Sequence, residues 1–250
     1  MRTCRFSRHG QERYGVVEGI EVRALTAAPW EGGLPEGPRH PFSEVTLLAP
    51  VQPTKVVCVG RNYRAHAKEL GNEVPKEPLL FIKPSTAVIG PMQEIRIPEA
   101  SREVHHEAEL AAVIGRTLTR GSAVAAREAI FGWTCLNDVS ARDIQRAEAH
   151  FTRAKSYDTF CPVGPFVETN LDPMDQIVIC RVNGEQRQRG STRDMVVDPY
   201  ALVAFISQVM TLLPGDLVST GTPEGVGPIR RGDWVEIEVS GVGVLKNPVV

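Results

Sequence analysis

The chain has 250 residues, a formal net charge of −2 at pH 7, 23% charged and 42% apolar side chains. This composition is ordinary for a globular protein and allows one large domain or a large domain with a small one. No basic run is present, which argues against a nucleic-acid partner. No segment approaches 18 consecutive apolar residues, and the polar start Met1-Arg2-Thr3-Cys4 has no signal-peptide core, so no membrane partner is expected.

The cysteine pattern indicates a reducing compartment. The five cysteines are odd in number, lie far apart and form no C-x-x-C pair. Such a pattern favours a cytoplasmic protein with structural thiols over a disulfide framework.

The first fifty residues differ from the rest of the chain. Residues 14–17 and 20–22 read as two short strands around a Glu18-Gly19 turn, which predicts a hairpin. Seven prolines and glycines between Pro29 and Pro41 then predict a loop-rich connector. We therefore expect a small N-terminal β module over residues 1–50 and the main, catalytic domain over residues 51–250.

Short apolar segments separated by Gly and Pro dominate the main domain. They predict strands over residues 56–59, 79–82, 109–114, 131–137, 177–182, 217–220 and 234–239. Helices are predicted over residues 62–70, 122–129, 141–149 and 199–211. Because strands and helices do not alternate regularly, a mixed β-rich (α+β) fold is favoured over a Rossmann sheet. The glycine loop at residues 221–227 matches neither the G-x-G-x-x-G motif nor a Walker loop with its Lys-Ser/Thr, so nucleotide binding gains little support.

Two carboxylates, Glu107 and Glu109, stand two positions apart before the apolar run from Leu110 to Ile114. In a strand they project from the same face, where like charges on a buried edge need a cation. Asp138 ends a second apolar run and could supply a third oxygen ligand, which favours Mg²⁺ or Mn²⁺. The alternative is the solvated face of an edge strand, and spacing alone supports the two interpretations about equally.

Four further residues are candidates for chemistry. His66 and Glu69 lie three apart on a predicted helix, as a base and its orienting carboxylate would; an exposed helix with ordinary charges is the alternative. Arg142 and Gln145 begin a helix just after Asp138 and would stand near an ion there, unless they form a solvated face.

Lys155 and two histidines complete the candidates. A lysine beside a metal could stabilise an enolate or bind a carboxylate, although a lone lysine is more often solvated. His105 and His106 invite a zinc interpretation, but the H-E-x-x-H spacing is absent. At most a supporting role behind the metal ligands is expected for one of them.

Several of these motifs resemble those of the fumarylacetoacetate hydrolase superfamily. The resemblance runs from about Pro53 nearly to the C-terminus. It covers the stretches at residues 59–63, 80–85, 106–110, 137–143, 155–159 and 221–223, in the order that the family has them. It implies a β-roll catalytic domain, usually in a homodimer, with Mg²⁺ or Mn²⁺ at Glu107, Glu109 and Asp138. It also implies a lid that carries the His66–Glu69 dyad.

The resemblance implies a 2-oxo acid substrate, which Arg61, Asn62, Arg142, Gln145 and Thr222 would bind. The favoured reaction is C–C hydrolysis of an acylpyruvate-like acid through a metal-stabilised enolate, with His66, Glu69 and Lys155 as catalytic residues. Decarboxylation of an oxaloacetate-type acid and isomerisation of 2-hydroxyhepta-2,4-diene-1,7-dioate remain alternatives, because one scaffold supports all three. The alternative to an enzyme is a non-catalytic protein that senses a 2-oxo acid.

The segment from about residue 62 to residue 78 is expected to be a mobile lid. It is rich in charge, contains Gly71, and ends in Pro75 and Pro78. Such a segment buries little apolar surface and has low local stability.

Overall fold

The computed structural model describes all 250 residues, and strands outnumber helices, as expected of a mixed β-rich fold. The helices are α1 (Arg64–Glu69), α2 (Ala123–Ala129), α3 (Arg142–Ala147), α4 (Thr152–Lys155) and α5 (Pro199–Val209). The strands are β1 (Arg2–Arg8), β2 (Gln11–Glu18), β3 (Glu21–Leu25), β4 (Pro35–Pro41), β5 (Thr46–Leu48), β6 (Lys55–Gly60), β7 (Leu79–Pro84), β8 (Val88–Ile89), β9 (Val104–His106), β10 (Ala108–Ile114), β11 (Ile130–Asn137), β12 (Ser140–Ala141), β13 (Cys161–Glu168), β14 (Ile177–Val182), β15 (Glu185–Ser191), β16 (Leu217–Ser219), β17 (Gly227–Ile229), β18 (Trp234–Val239) and β19 (Gly243–Pro248).

Twelve strands form one large sheet with the order β4-β3-β2-β1-β13-β11-β10-β16-β6-β7, to which β5 and β8 add at β1 and β13. A three-stranded sheet (β12-β9-β17) and a four-stranded sheet (β15-β14-β18-β19) complete the fold. Most pairs are antiparallel; β16 with β6 and β13 with β8 are parallel. The predicted β-rich α+β class is confirmed.

Strand β10 lies in the middle of the large sheet and is buried on both faces. Leu110 and Ala112 face the largest core cluster, whereas Ala111 and Val113 face a second cluster on the other side. A strand covered on both faces reads as a continuous apolar run, which explains the sequence from Leu110 to Ile114. The first residues of β10 are therefore held in place by a rigid strand from which water is excluded.

The N-terminal strands continue the large sheet, because β1 pairs with β13 through Thr3 and Val167. The hairpin expected near residue 19 is present as β2 and β3. The loop-rich connector was wrong in part: Pro35–Pro41 is strand β4, paired with β3 at the outer edge of the sheet. Prolines are tolerated there because an edge strand has one unpaired side.

The four predicted helices exist as α1, α2, α3 and α5, but each is shorter than expected. The helix predicted over residues 62–70 is α1, Arg64–Glu69, and the one predicted over residues 141–149 is α3, Arg142–Ala147. None of the helices has the length and apolar content needed to cross a membrane.

Candidate metal centre and active site

Three carboxylates meet where β10 and β11 end side by side. Glu107 lies between β9 and β10, Glu109 is the second residue of β10, and Asp138 follows β11. The pairing of Ala108 with Asn137 brings these strand ends together. One oxygen from each carboxylate lies within 4.8 Å of the others, and all three residues are buried. The alternative of a solvated edge strand does not apply here.

Two lysines and one arginine contact two of these carboxylates. Lys155 Nζ donates to Glu107 at 2.7 Å and to Asp138 at 2.6 Å. Lys83 Nζ donates to the other oxygen of Asp138 at 2.6 Å, and Arg142 donates to the other oxygen of Glu107. Because these cations are buried with the carboxylates, the charges compensate one another in a dehydrated site.

This compensation sets the protonation states. Burial acts against ionisation of Glu107, but the charges of Lys155 and Arg142 hold its pKa well below its usual range. Burial also acts against the charged form of Lys155, yet Asp138 and Glu107 raise the pKa of its ammonium group. Glu107 is therefore anionic and Lys155 cationic at neutral pH.

Glu109 differs from its neighbours, because its carboxylate accepts hydrogen bonds only from Ser219 Oγ and from the Gly221 backbone N–H, the latter at 2.7 Å. Burial, and then the negative charge of Asp138, raise the pKa of Glu109 to about 8. Gly221 has φ +96°, and a Cβ there would lie 2.8 Å from the Asn62 Cβ. The close approach of this loop to Glu109 therefore requires glycine.

The donor set fits a divalent cation. All three groups offer carboxylate oxygens, with no thiolate or imidazole among them, which is the preference of hard ions. Each carboxylate oxygen has more than one lone pair, so the contacts to Lys155 and Arg142 leave acceptor capacity. The positive charge of a divalent ion at Glu107, Glu109 and Asp138 would favour the ionised form of Glu109 and so oppose the rise in its pKa that burial and Asp138 cause.

The His66–Glu69 dyad forms and lies on the wall of the same cavity. His66 Nδ1 lies 3.3 Å from Glu69 Oε2, and Glu69 Oε1 accepts from the Gly225 N–H at 2.9 Å. Because an ionised carboxylate only accepts, Nδ1 carries the proton and Nε2 is available as a base. His66 is 5% exposed, so the alternative of a solvated histidine does not describe it.

The cavity encloses about 340 Å³ and brings most of the predicted residues together. Besides the triad, Lys155 and His66, its walls include Arg61, Arg142, Gln145 and Thr222. Arg142 also donates to Gln145, so the two candidates at the start of α3 support each other. Glu69 stands behind His66, outside the cavity lining.

Asn62 is not brought onto the cavity wall. Its side-chain amide donates to the carbonyls of Val197 and Thr220, at 3.0 and 2.8 Å, and accepts from the Val197 N–H. All of these contacts are to backbone, so Asn62 holds the loop before Gly221 in place. We therefore revise its predicted role from substrate binding to positioning of this loop.

The two neighbouring histidines do not ligate with the triad. His105 lies on the cavity wall, 3.0 Å from Glu103, and His106 is buried with its Nδ1 3.0 Å from Gln188 Oε1. Burial lowers the pKa of His106 to about 4, so this imidazole is neutral.

Two functional positions, Lys83 and Gln188, were missed in the sequence. A lysine directly after the apolar run from Leu79 to Ile82, on the same strand, could have indicated Lys83, which is fully buried. Gln188 gave no comparable signal, because it stands among the polar residues of β15.

Comparisons with known proteins show the family of this chain. The model of the fumarylacetoacetate (FAA) hydrolase C-terminal domain matches residues 55–250, and an Rv2993c-like N-terminal model matches residues 1–50. The chain belongs to the fumarylacetoacetate hydrolase family. That residues 1–50 and residues 51–250 are separate domains stays a prediction.

Three relatives illustrate the range of the family. Protein Rv2993c of Mycobacterium tuberculosis is 49% identical over 93% of this chain and 90% of its own length. The human mitochondrial oxaloacetate tautomerase FAHD2A is 45% identical over 85% of this chain and 72% of its own. The crystal structure of 2-hydroxyhepta-2,4-diene-1,7-dioate isomerase from Mycobacterium marinum is 44% identical, with a TM-score of 0.93 over 100% of this chain and 98% of the other.

Proposed function

We propose that this chain is a divalent-metal-dependent enzyme that moves a proton along the skeleton of a 2-oxo acid, as a tautomerase or isomerase. The observation that carries the proposal is the free Nε2 of His66 on the same cavity wall as the carboxylate triad. The named relatives support it, since one is an oxaloacetate tautomerase and another an isomerase of a hydroxydienedioate.

We propose Mg²⁺ or Mn²⁺ as the cofactor, held by Glu107, Glu109 and Asp138. When bound, such an ion polarises the 2-oxo group of a substrate and stabilises negative charge on its oxygen. The all-oxygen donor set supports a hard ion over zinc or copper.

The protein's own residues supply the rest of the reaction. Lys155 is fixed between Glu107 and Asp138, where a cation attracts the substrate carboxylate and favours the enolate over the ketone. His66 Nε2 takes the proton from the carbon next to the 2-oxo group, and Glu69 stabilises the imidazolium that forms. The proton then returns to oxygen in a tautomerase or to a more distant carbon in an isomerase.

Hydrolysis of a C–C bond in an acylpyruvate, the reaction favoured by the sequence, is the second candidate. The same dyad could direct a water at the distal carbonyl, and the matching family model is described as a hydrolase. Water adds to that carbonyl, the C–C bond breaks, and a carboxylic acid and pyruvate leave. Decarboxylation of an oxaloacetate-type acid is a further alternative. It needs no attacking water, so the dyad would act only in the final protonation of the enolate.

One profiling experiment separates these reactions. Purified protein with Mg²⁺ or Mn²⁺ is given oxaloacetate, an acylpyruvate and a hydroxydienedioate, while enol absorbance and pyruvate are followed. We expect loss of the enol form without pyruvate release, and loss of this activity in His66→Ala and Glu107→Ala. Lys68→Ala is the matched control, because Lys68 is exposed on α1 and does not line the cavity.

Each other outcome has a distinct meaning. Pyruvate from the acylpyruvate would favour hydrolysis, and pyruvate from oxaloacetate would favour decarboxylation. Tight ligand binding without turnover would favour a sensor of 2-oxo acids. Full activity after exhaustive chelation would remove the metal from the proposal.

We further propose that the chain works in the cytoplasm. All five cysteines are buried free thiols, which suits a reducing compartment.

A further inference from the structure

A second cavity lies among the N-terminal strands β1, β2, β3 and β4, away from the carboxylate triad. It encloses about 390 Å³, a size in the range of sites for small organic molecules. None of the residues that line it also lines the cavity at the triad, so the two cavities hold separate ligands. We call it the N-terminal pocket and define it by Phe6, Arg8, His9, Arg13, Glu36 and His40.

Strands β1 and β2 place two arginines of the N-terminal pocket on one face of the sheet. In their pairing, Phe6 stands opposite Arg13 and Arg8 stands opposite Gln11. Residues that stand opposite each other share a face of the sheet, as do residues two apart on one strand. Arg8 and Arg13 are therefore diagonal neighbours on this face, and both side chains can reach the same group of a ligand.

The floor of the pocket is apolar. Phe6 and Ala24 lie at its base, only 2% and 7% exposed, in a small core cluster with Cys4 and Val22. Charged side chains therefore stand at the rim, over an apolar base. This arrangement suits a ligand that has both carbon atoms and a charged group.

The two arginines have hydrogen-bond donors to spare. Arg8 Nη2 donates to Glu44 at 3.0 Å, and Arg13 Nη1 donates to Glu36 at 2.6 Å. Arg8 Nε is buried without a hydrogen-bond partner. Each guanidinium carries five N–H groups, so most of them remain available to a ligand. Both ion pairs are also largely exposed, and such pairs are weak enough for an incoming anion to compete with the glutamates.

Two histidines add further polar groups to the rim. His9 and Gly10 form the turn between β1 and β2, with φ +52° and +78°. Such a turn favours Asn, Asp or Gly at both positions, so histidine is an uncommon choice for the first of them. His40, on β4, lies on the same wall. The lining thus has two guanidinium groups and two imidazoles against the single carboxylate of Glu36.

We propose that the N-terminal pocket binds a small organic anion. Its carboxylate or phosphate group contacts the guanidinium groups of Arg8 and Arg13, which suit both kinds of anion. Its carbon atoms lie over Phe6 and Ala24. A free phosphate ion would fill only a small part of the cavity, which favours an organic molecule. The ligand is not the substrate of the proposed reaction, because the two cavities share no residue.

Titration of the intact protein with three small probes, followed by NMR of the backbone amides, tests this site. Phenyl phosphate and benzoate carry the two kinds of anion, and benzamide has nearly the shape of benzoate without its charge. Mg²⁺ and oxalate are kept present to occupy the cavity at the triad. At least one anion should shift the amide signals of Gly10 and Gln11, and benzamide should bind about tenfold more weakly or less. The anion that binds more tightly distinguishes a phosphate ligand from a carboxylate ligand.

Variants of the two arginines test which residues hold the anion. The double variant Arg8→Met/Arg13→Met should lower the affinity about tenfold or more, and Arg8→Lys/Arg13→Lys should retain part of it. Arg39→Met is the matched control, because Arg39 is exposed on β4 and does not line the pocket; its affinity should stay within about twofold of wild type. The amide spectra also show that each variant is folded.

Three results would overturn the proposal. The first is that neither anion shifts the signals of Gly10 and Gln11 at millimolar concentration. The second is that benzamide binds as tightly as benzoate and phenyl phosphate. The third is that the methionine double variant, with a folded spectrum, binds the anion as the wild type does.

Discussion

Glu109 is the carboxylate of the triad that contacts no lysine or arginine, and its pKa of about 8 follows from burial and from the charge of Asp138. Below pH 8 it holds a proton that a metal ion must displace. We therefore expect the affinity of the metal-free protein for Mg²⁺ to rise by up to about tenfold per pH unit from pH 6 to 8 and then to level off. Calorimetry in buffers of different ionisation enthalpy should show proton release at pH 7. A constant affinity between pH 6 and 8 would contradict this assignment.

Gln188 is the residue on which two parts of the site converge. Its Oε1 accepts from the Ala108 N–H and lies 3.0 Å from His106 Nδ1, while its Nε2 donates to Thr222 Oγ1 and the Pro223 carbonyl at 2.8 Å. It thereby joins the segment that bears Glu107 and Glu109 to the loop that bears Thr222.

Replacing Gln188 with leucine leaves several buried polar groups without partners. We expect the free energy of unfolding to fall by about 2 kcal/mol or more, measured by urea denaturation of the metal-free protein. Gln186→Leu is the matched control on the same strand, because Gln186 is exposed; its effect should stay within about 0.5 kcal/mol. Similar values for the two variants would argue against a positioning role for Gln188.

Among the elements, α1 depends on a loop from the other end of the chain. A single hydrogen bond, from the Gly225 N–H to Glu69 Oε1, joins the polar side of α1 to this loop. On the apolar side, Tyr63 and Ala67 are buried. The lid over residues 62–78 stays a prediction. We expect closure of this lid to be detectable at the contact between Glu69 and Gly225.

Hydrogen exchange tests the lid directly. Binding of Mg²⁺ with oxalate should slow exchange in residues 64–78, because closure over the cavity suppresses local opening. Glu69→Gln should weaken this protection, while amides of β10 exchange slowly in every state. Unchanged exchange in residues 64–78, with oxalate shown to be bound, would refute the lid.

The elements also differ in how far the sequence could predict them. Apolar runs such as Leu110 to Ile114 located the central strands, and the E-x-E pattern beside one of them located the triad. Strand β4 was hidden because its pairing with β3 outweighs the turn preference of Pro35 and Pro41. Gln188 could not be found, because its role depends on contacts to residues 34 to 82 positions away.

At the scale of the whole molecule, the large sheet ends in an exposed apolar strand. Strand β7 has β6 as its only neighbour, and Leu79 and Ile82 on it are 37% and 43% exposed. Unpaired apolar edges are surfaces for association. Because the family resemblance implies a homodimer, we propose that two copies meet at this edge.

Light scattering after gel filtration tests the dimer. The wild type should elute as a dimer at micromolar concentration, and Ile82→Arg should shift it towards the monomer. Ile20→Arg is the control, because Ile20 is 82% exposed in the turn after β2, near the opposite end of the sheet. A monomeric wild type, or equal effects of the two substitutions, would contradict this interface.

The pairing of β1 with β13 has a consequence for biosynthesis. Val167 leaves the ribosome roughly 160 residues after Thr3, its partner, which at about 5–20 residues per second is a delay on the order of ten seconds or more. During that time β1 can already pair with β2 and β5, around Cys4, Phe6 and Val22. The nascent chain therefore carries a preformed small sheet with an open edge, which a chaperone would have to shield until β13 arrives.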